Sequence, residues 1–261
     1  MKKTRIDKIP EYIPQEILRL TVGADLYDSS CSPEARVYFI DRDNGYYLKI
    51  ANGGTLAREA LMTEYFHKRG LGADVLSYVS SERDYLLTRS VVGEDCTYAD
   101  YLSDPRRLAE LIATRLRALH ELDASDCPVK DRVSEYIALA EANYRTDNYD
   151  KSHFPDSFGY ESAEAAYAAL HSGKHLLKNE VLIHGDYCLP NIMLDGWRFS
   201  GFIDVDHAGI GDRHIDLFWG AWTLGFNLGT DKYRDIFLDA YGRDKINDDA
   251  LLTVAAAEVF G

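Results

Sequence analysis

Apolar and polar positions alternate within residues 34–50, and this pattern predicts a β-hairpin. Two runs rich in β-branched and aromatic side chains flank Asn44-Gly45, a dipeptide that readily adopts the positive φ angles of a tight turn. Asp195-Gly196 separates two further strand-like runs, NIMLD and RFSGFID. The sequence therefore predicts two antiparallel hairpins.

Helical spacing replaces this alternation in residues 55–69. Leu56 and Phe66 fall on one side of the predicted helix, and Glu59 lies on the same side. Gly70 follows as a residue that readily ends a helix. A single carboxylate thus interrupts an otherwise apolar stripe.

Helices dominate the chain beyond a strand predicted at residues 85–95. Asp104-Pro105 begins a helix whose apolar positions keep the helical period. Further helices are predicted over residues 131–145, 161–178, 214–228, 231–241 and 248–260. This order of elements predicts an α+β fold, with a small β-rich N-terminal lobe (1–92) and a larger, mostly α-helical C-terminal lobe (93–261).

Composition narrows the class of protein. The chain has 261 residues, of which 46% are hydrophobic, and its formal net charge is −14. Such a charge opposes binding to nucleic-acid phosphate and favours a cationic ligand. No apolar run is long enough to cross a membrane, and the four cysteines form no CxxC pair. We expect a cytoplasmic protein with reduced thiols and no obligate protein partner.

Three oxygen-bearing side chains surround the second predicted hairpin. Asn191 lies at its start, Asp204 at its end and Asp186 a few residues before it. A hairpin returns the chain upon itself, so these side chains are expected to converge. Mg²⁺ prefers a few oxygen ligands from the protein and completes its shell with water and phosphate oxygens. The sequence therefore predicts a magnesium site that works with a nucleotide.

These residues carry a resemblance to a known family. The pattern H-G-D-x-x-x-x-N at residues 184–191, followed by Ile203-Asp204, resembles the catalytic core of the aminoglycoside phosphotransferases. Similar segments are SPEARVY at 32–38, YLKI at 47–50, ARE at 57–59, ASDCP at 124–128 and AEVF at 257–260. The resemblance covers nearly the whole chain, is strongest to the 3′-phosphotransferases and implies a bilobal protein-kinase-like fold.

The resemblance implies a phosphate-binding ion pair. Lys49 resembles the family lysine that binds the α- and β-phosphates of ATP. Glu59 is the expected partner of Lys49, because an unpaired buried carboxylate is costly. A solvated lysine at a strand end is the alternative interpretation of Lys49.

The resemblance also implies the roles of the acids near the hairpin. Asp186 accepts or orients the proton of the substrate hydroxyl, and Asn191 and Asp204 hold Mg²⁺. Three turn-forming residues are the structural alternative. Asp216 resembles the family acid that braces the catalytic loop through backbone amides, and helix capping explains it equally well.

The nucleotide-binding residues are less explicit in the sequence. Ser32 lies in DSSCSPEA, which resembles the family loop that presents hydroxyls and backbone N–H groups to phosphate; a plain polar turn is the alternative. Tyr47 shares a strand face with Lys49, where its ring is expected to stack on adenine; an ordinary aromatic residue of the strand explains it equally well. Arg89 and Val91 belong to the predicted hinge whose backbone pairs with the base edge.

The residues expected to contact the substrate are mainly acidic. Residues 147–164, which include Asp150 and Asp156, resemble the acidic family loop that surrounds the polyamine sugar; a solvated charged face is the ordinary explanation. The C-terminal segment with Glu258 and Phe260 resembles the family terminus that contacts substrate amines.

Two segments depart from the family pattern. Asp206-His207 replaces the Gly-Arg that follows the metal-binding acid, and TLGFNLG replaces an acidic stretch. The predicted helix at residues 214–228 carries Trp219, Trp222 and Phe226 at a spacing typical of a buried core stripe. Stacking of these rings on a sugar ring is the alternative interpretation.

We therefore expect an ATP- and Mg²⁺-dependent O-phosphotransferase that acts on aminoglycoside antibiotics at the 3′-hydroxyl and confers resistance. Kinases of choline, homoserine or another small amino-alcohol or sugar are the first alternative. A nucleotide-binding pseudokinase is disfavoured, since Lys49, Glu59, Asp186, Asn191 and Asp204 are all present.

Overall fold

A computed structural model describes residues 3–10 and 12–261. The chain has a mixed α+β fold and forms two compact units. The N-terminal unit contains the described residues up to Tyr98 and Pro190–Asp206, whereas the C-terminal unit contains Ala99–Leu189 and His207–Gly261. The division expected at residue 92 therefore differs from these units, because residues 190–206 return to the N-terminal one.

Six antiparallel strands form the main sheet of the N-terminal unit: β1 (Thr4–Ile6), β2 (Asp25–Asp28), β3 (Arg36–Asp41), β4 (Tyr46–Asn52), β5 (Val75–Ser80) and β6 (Arg83–Arg89). Their order in the sheet is β1-β2-β3-β4-β6-β5. The first predicted hairpin is confirmed, since β3 pairs with β4 across a turn in which Asn44 and Gly45 have positive φ.

Two helices belong to this unit, α1 (Gln15–Thr21) and α2 (Ala57–His67). Ile17 of α1 packs into the core of the sheet with Ile40 and Leu48. Alternation along β4 buries Leu48 and Ile50, so Tyr47 and Lys49 lie on the opposite face. Helix α2 buries Glu59 together with its apolar side chains.

A small sheet explains why residues 190–206 belong to the N-terminal unit. Strand β7 (Glu94–Asp95) pairs with β9 (Ile192–Asp195), and β9 pairs with β10 (Arg198–Phe202). The second predicted hairpin is thus confirmed. Its turn includes Gly196 and Trp197 at positive φ.

Helices form most of the C-terminal unit: α3 (Ala99–Leu102), α4 (Pro105–His120), α5 (Arg132–Thr146), α6 (Ala163–Gly173), α7 (Arg213–Leu228), α8 (Arg234–Tyr241) and α9 (Asp248–Glu258). Strand β8 (Val181–Ile183) pairs with β11 (Gly209–Gly211). Asp104 caps α4 by accepting a hydrogen bond from the Arg107 N–H at 3.3 Å. Within residues 3–10 and 12–261, no helix is long and apolar enough to span a bilayer.

Candidate nucleotide and catalytic sites

Lys49 and Glu59 form an ion pair in the N-terminal unit. The Lys49 Nζ lies 2.8 Å from a Glu59 carboxylate oxygen, and the two side chains are 22% and 8% exposed. The pair joins β4 to α2. It accounts for the carboxylate in the apolar stripe of α2, because Lys49 supplies the opposite charge.

Asp204 extends this pair into a group of three charges. Its Oδ1 lies 2.9 Å from the Lys49 Nζ. The Ile203 N–H donates to the Asn191 carbonyl oxygen at 3.1 Å, which places the start and the end of the hairpin side by side as the sequence predicted.

The charged groups of Lys49, Glu59 and Asp204 shift one another's pKa values. Burial by itself lowers the pKa of Lys49, but the nearby Asp204 and Glu59 carboxylates outweigh burial and raise this pKa above its ordinary value. Burial raises the pKa of Glu59 to about 7, although the Lys49 charge opposes this rise. Lys49 therefore remains a cation at neutral pH.

A cavity of about 240 Å³ opens beside this group within the N-terminal unit. All five predicted nucleotide-binding residues line it: Ser32, Tyr47, Lys49, Arg89 and Val91. Leu86, Met193 and Phe202 add apolar surface to its wall. The cavity thus combines an apolar wall with a cation and carboxylates, as sites for small molecules commonly do.

Ser29 also lines the cavity. It lies in the predicted phosphate-binding loop DSSCSPEA, but Ser32 was the only residue of that loop predicted as a contact. Ser29 is 3% exposed, and its hydroxyl is the one buried side-chain polar group in the described part of the chain that lacks a hydrogen-bond partner. Buried hydroxyls normally have such a partner. A ligand oxygen in the cavity would supply it, and the only signal in the sequence was the run of small polar residues that contains Ser29.

A second ion pair holds the segment after Asp204. The Arg58 guanidinium contacts both Asp206 carboxylate oxygens, at 3.3 and 3.4 Å. Arg58 precedes Glu59 on α2, so α2 carries the partners of both Lys49 and Asp206. The unusual acid after Asp204 therefore has a defined contact in this chain.

The loop with Asp186 lies in the C-terminal unit, and Asp216 fixes its backbone. Buried Asp216 on α7 accepts hydrogen bonds from the N–H groups of His184 and Gly185, both at 2.7 Å. It also contacts the His120 Nε2 at 3.1 Å. The predicted bracing role is confirmed, while capping of α7 comes from Asp212.

Gly185 is required by the path of this loop. Its φ is +84°, and a Cβ at this position would lie 2.2 Å from the His207 carbonyl oxygen. Further along the loop, the Leu189 N–H donates to the Thr223 hydroxyl at 3.2 Å. Both contacts fix the backbone on either side of Asp186 and Cys188.

The predicted substrate-binding acids lie in different surroundings of the C-terminal unit. Asp150 and Asp156 are exposed. Half-buried Glu258 accepts hydrogen bonds from the Tyr136 hydroxyl at 2.8 Å and from the Trp219 indole N–H at 3.0 Å. Burial raises the pKa of Glu258 to about 7, although these two donors oppose the rise.

Phe260 is placed differently from the expectation of a substrate contact. Its side chain is fully buried and packs edge-on against Tyr144 and Tyr149, because the apolar end of the chain completes this core. Its carbonyl oxygen accepts a hydrogen bond from the Asn143 Nδ2 at 2.7 Å. The ring therefore offers no surface to a substrate.

No group of three or more His, Cys, Asp or Glu side chains in the described residues is arranged to hold a metal ion. Asn191 and Asp204 provide two oxygen-bearing groups from neighbouring chain segments. Such a pair suits Mg²⁺, which takes its remaining ligands from water and phosphate.

Comparisons with known proteins agree with this arrangement. A model of the phosphotransferase enzyme family matches residues 33–252. A probable aminoglycoside 3′-phosphotransferase of Lactococcus lactis subsp. lactis is 50% identical, over 100% of this chain and 99% of that protein.

Solved structures show the same fold. An aminoglycoside-3′-phosphotransferase of type VIII has a TM-score of 0.77 at 23% identity, over 92% of this chain and 94% of that one. An aminoglycoside phosphotransferase from Streptomyces rimosus, solved with ADP and streptomycin, has a TM-score of 0.72 at 24% identity, over 86% of this chain and 90% of that one.

Proposed function

Since the chain belongs to the phosphotransferase enzyme family, we propose that it transfers the γ-phosphate of ATP to the 3′-hydroxyl of an aminoglycoside and so confers resistance. The observation that carries this proposal is the Lys49–Glu59 pair beside Asp204 at the wall of an apolar cavity. Phosphoryl transfer needs such a cation and such a metal-binding carboxylate. The full-length likeness to a probable 3′-phosphotransferase supports the choice of acceptor.

In this proposal the cavity of the N-terminal unit binds ATP. Lys49 holds the α- and β-phosphates, and Glu59 keeps its ammonium group in place at 2.8 Å. The Ser29 hydroxyl donates to a phosphate oxygen and so gains the partner that it lacks. Tyr47 lies on the same strand face as Lys49 and stacks on the adenine ring.

Asn191 and Asp204 would hold Mg²⁺ on the triphosphate. When bound, Mg²⁺ neutralises phosphate charge and lowers the cost of adding negative charge during transfer. The Asp204 carboxylate lies 2.9 Å from the Lys49 ammonium group, which would also contact the phosphates. Lys49 would then exchange part of its contact with Asp204 for contact with phosphate.

Asp186 would orient the acceptor hydroxyl and take its proton. Its loop is fixed by Asp216 and Thr223, and a base must be held in place in order to act on one hydroxyl. Glu258, with the exposed acids Asp150 and Asp156, would bind the protonated amines of the acceptor.

A coupled assay of ADP release tests this function. With Mg²⁺ and ATP, we expect turnover with kanamycin B and none with tobramycin, its 3′-deoxy analogue. Phosphorus NMR of the product should place the new ester on the 3′-oxygen. Equal turnover of both acceptors would indicate another hydroxyl, and turnover of choline or homoserine alone would replace the aminoglycoside with an amino-alcohol.

The variant Asp186→Asn tests the role of the base. It preserves the side-chain shape but removes the carboxylate, so kcat should fall by about 10²–10⁴-fold while ATP binding stays unchanged. Asp195→Asn, at the exposed end of β9, is the matched control and should keep wild-type kcat. Near wild-type turnover in Asp186→Asn would refute this assignment.

A further inference from the structure

Four aromatic side chains of the C-terminal unit form a connected row, which we call the aromatic ladder: Phe158, Trp219, Trp222 and Phe226. Trp219 and Trp222 meet edge to face at 5.3 Å between ring centroids, and Phe158 contacts both at 6.4 Å. Trp222 and Phe226 are stacked at 4.9 Å with an interplanar angle of 16°. The ladder runs along α7 from Trp219 to Phe226.

The outer end of the ladder is open to solvent. Trp222 is 37% exposed and Phe226 is 71% exposed. The prediction that these two residues belong to a buried core stripe is therefore wrong. A stacked aromatic pair on the surface of a helix is an apolar patch that typically marks a binding site.

Helix α7, which carries three of the four rings, has polar contacts with Glu258 and with the Asp186 loop. The Trp219 indole N–H donates to Glu258 at 3.0 Å. Thr223, which follows Trp222 in α7, accepts a hydrogen bond from the Leu189 N–H of the Asp186 loop at 3.2 Å. Helix α7 thus contacts the loop that carries the proposed base at Thr223, which lies between Trp222 and Phe226 in the sequence.

Two acidic residues lie near the ladder, one in the sequence beside Phe158 and one in space beside Gly225 of α7. Exposed Asp156 lies two residues before Phe158. An Asp231 carboxylate oxygen lies so close to Gly225 that it would be 2.8 Å from a Cβ there. Aromatic faces near carboxylates suit a ligand ring that has an apolar C–H face and carries ammonium groups.

We propose that Trp222 and Phe226 bind an aminosugar ring of the acceptor that is distal to the phosphorylated ring. The ring packs its C–H face on the exposed aromatic surface and places an ammonium group over it. This specificity site rests on the proposed function. The segment TLGFNLG, which carries Phe226, contains no acidic residue, so the contact at this segment is aromatic and not an ion pair.

Paired acceptors test the site, because neamine is kanamycin B without its third ring. For Phe226→Ala and Trp222→Ala we expect KM for kanamycin B to rise by about 3–10-fold, with unchanged kcat, unchanged KM for ATP and little change in KM for neamine. Phe226→Tyr should keep the wild-type KM. Leu139→Ala removes another exposed apolar side chain, on α5, and should change nothing.

A second measurement follows the binding of kanamycin B without phosphoryl transfer. Titration with kanamycin B in the absence of nucleotide should change tryptophan fluorescence, and Trp222→Phe should remove most of this change. Equal KM increases for neamine and kanamycin B, or wild-type KM in both alanine variants, would overturn the site.

The two proposals fail in different ways. If the wild-type protein phosphorylates neither acceptor, the proposed function fails, and the fluorescence titration still tests the ladder. If it phosphorylates both and the alanine variants behave like the wild type, only the ladder proposal fails. A change of oligomeric state in Phe226→Ala, measured by sedimentation, would instead make this surface a contact between copies of the chain.

Discussion

Asp204 has a φ of +57°, a backbone conformation that residues with a Cβ rarely adopt and that costs on the order of 1 kcal/mol. Contacts on both sides hold it there. The preceding Ile203 N–H is bonded to the Asn191 carbonyl oxygen, and Asp206 is paired with Arg58. At the scale of single residues, the strained backbone of Asp204 thus holds its carboxylate next to Lys49.

Removal of this carboxylate should abolish the use of magnesium. In Asp204→Ala we expect transfer to fall to background and the Mg²⁺ concentration needed for nucleotide binding to rise by at least about tenfold, because the main charged metal ligand is lost. Fluorescent-nucleotide titrations at several Mg²⁺ concentrations measure this effect. Asp43→Ala, in the exposed turn between β3 and β4, is the control; Mg²⁺-dependent transfer by Asp204→Ala would contradict the assignment.

Glu258 should make stability depend on pH. Its pKa rises from 4.5 in the unfolded chain to about 7 in the folded protein, mainly because of burial. A carboxyl with a raised pKa contributes stability below pH 4.5, and this contribution is lost as the pH rises through about 7.

Glu258→Gln keeps an acceptor for Tyr136 and Trp219 but cannot ionise. Relative to the wild type, the variant should therefore lose less free energy of unfolding between about pH 5 and about pH 8. Urea unfolding at both pH values measures the difference. Identical pH profiles would show that Glu258 ionises without cost in the folded protein.

Helix α2 is positioned by a residue from another element. Its N-cap residue, Leu56, has no side-chain acceptor. Asp84 on β6 takes this role: its buried carboxylate accepts from the Gly54 N–H at 2.9 Å, the Leu56 N–H at 2.8 Å and the Tyr78 hydroxyl at 3.0 Å. At the scale of elements, the sheet therefore fixes the helix that carries Glu59.

Asp84→Ala should lower both stability and nucleotide affinity. Two N–H groups would lose their acceptor, which should cost about 2–4 kcal/mol in the free energy of unfolding. ATP should bind more weakly, because Glu59 is no longer held against Lys49. Chemical unfolding and nucleotide titration measure the two effects, and Glu82→Ala, at the neighbouring exposed position, should show neither. Unchanged stability would mean that α2 docks without Asp84.

The net charge of the whole molecule should affect how strongly a cationic acceptor binds. A net charge of −14 attracts polycations from a distance. Salt screens this attraction, with a Debye length of about 8 Å at physiological ionic strength. The exposed acids of residues 147–164 contribute to it, although Asp147 is paired with Lys151.

KM for kanamycin B should therefore rise with ionic strength, and kcat should change little. A mono-N-acetylated analogue carries one charge fewer, so its KM should rise less steeply. Initial rates at several salt concentrations provide the comparison. A KM that is independent of salt for both acceptors would show that long-range charge plays no part in binding.

Local sequence determined much of the fold and of the candidate sites. Asn44-Gly45 set the first turn because few residues tolerate positive φ, and Asp104-Pro105 set the start of α4 through capping. Asp195-Gly196 located the second turn to within one residue, since Gly196 and Trp197 are its positive-φ residues. The spacing of Lys49 on a strand and Glu59 on an apolar helix stripe indicated their pairing, since a buried carboxylate needs an opposite charge. The Asp186, Asn191 and Asp204 pattern was equally visible, because a hairpin brings nearby segments together.

Tertiary structure alone decided the contacts between distant segments. Asp84 reaches Leu56 across 28 positions, and no local pattern specifies such a partner. The same reason applies to the buried hydroxyl of Ser29, to the Arg58–Asp206 pair and to the return of residues 190–206 to the N-terminal unit. Helical spacing predicted that Phe226 is buried, but whether a helix face is covered depends on which elements pack against it, and at Phe226 none does so fully.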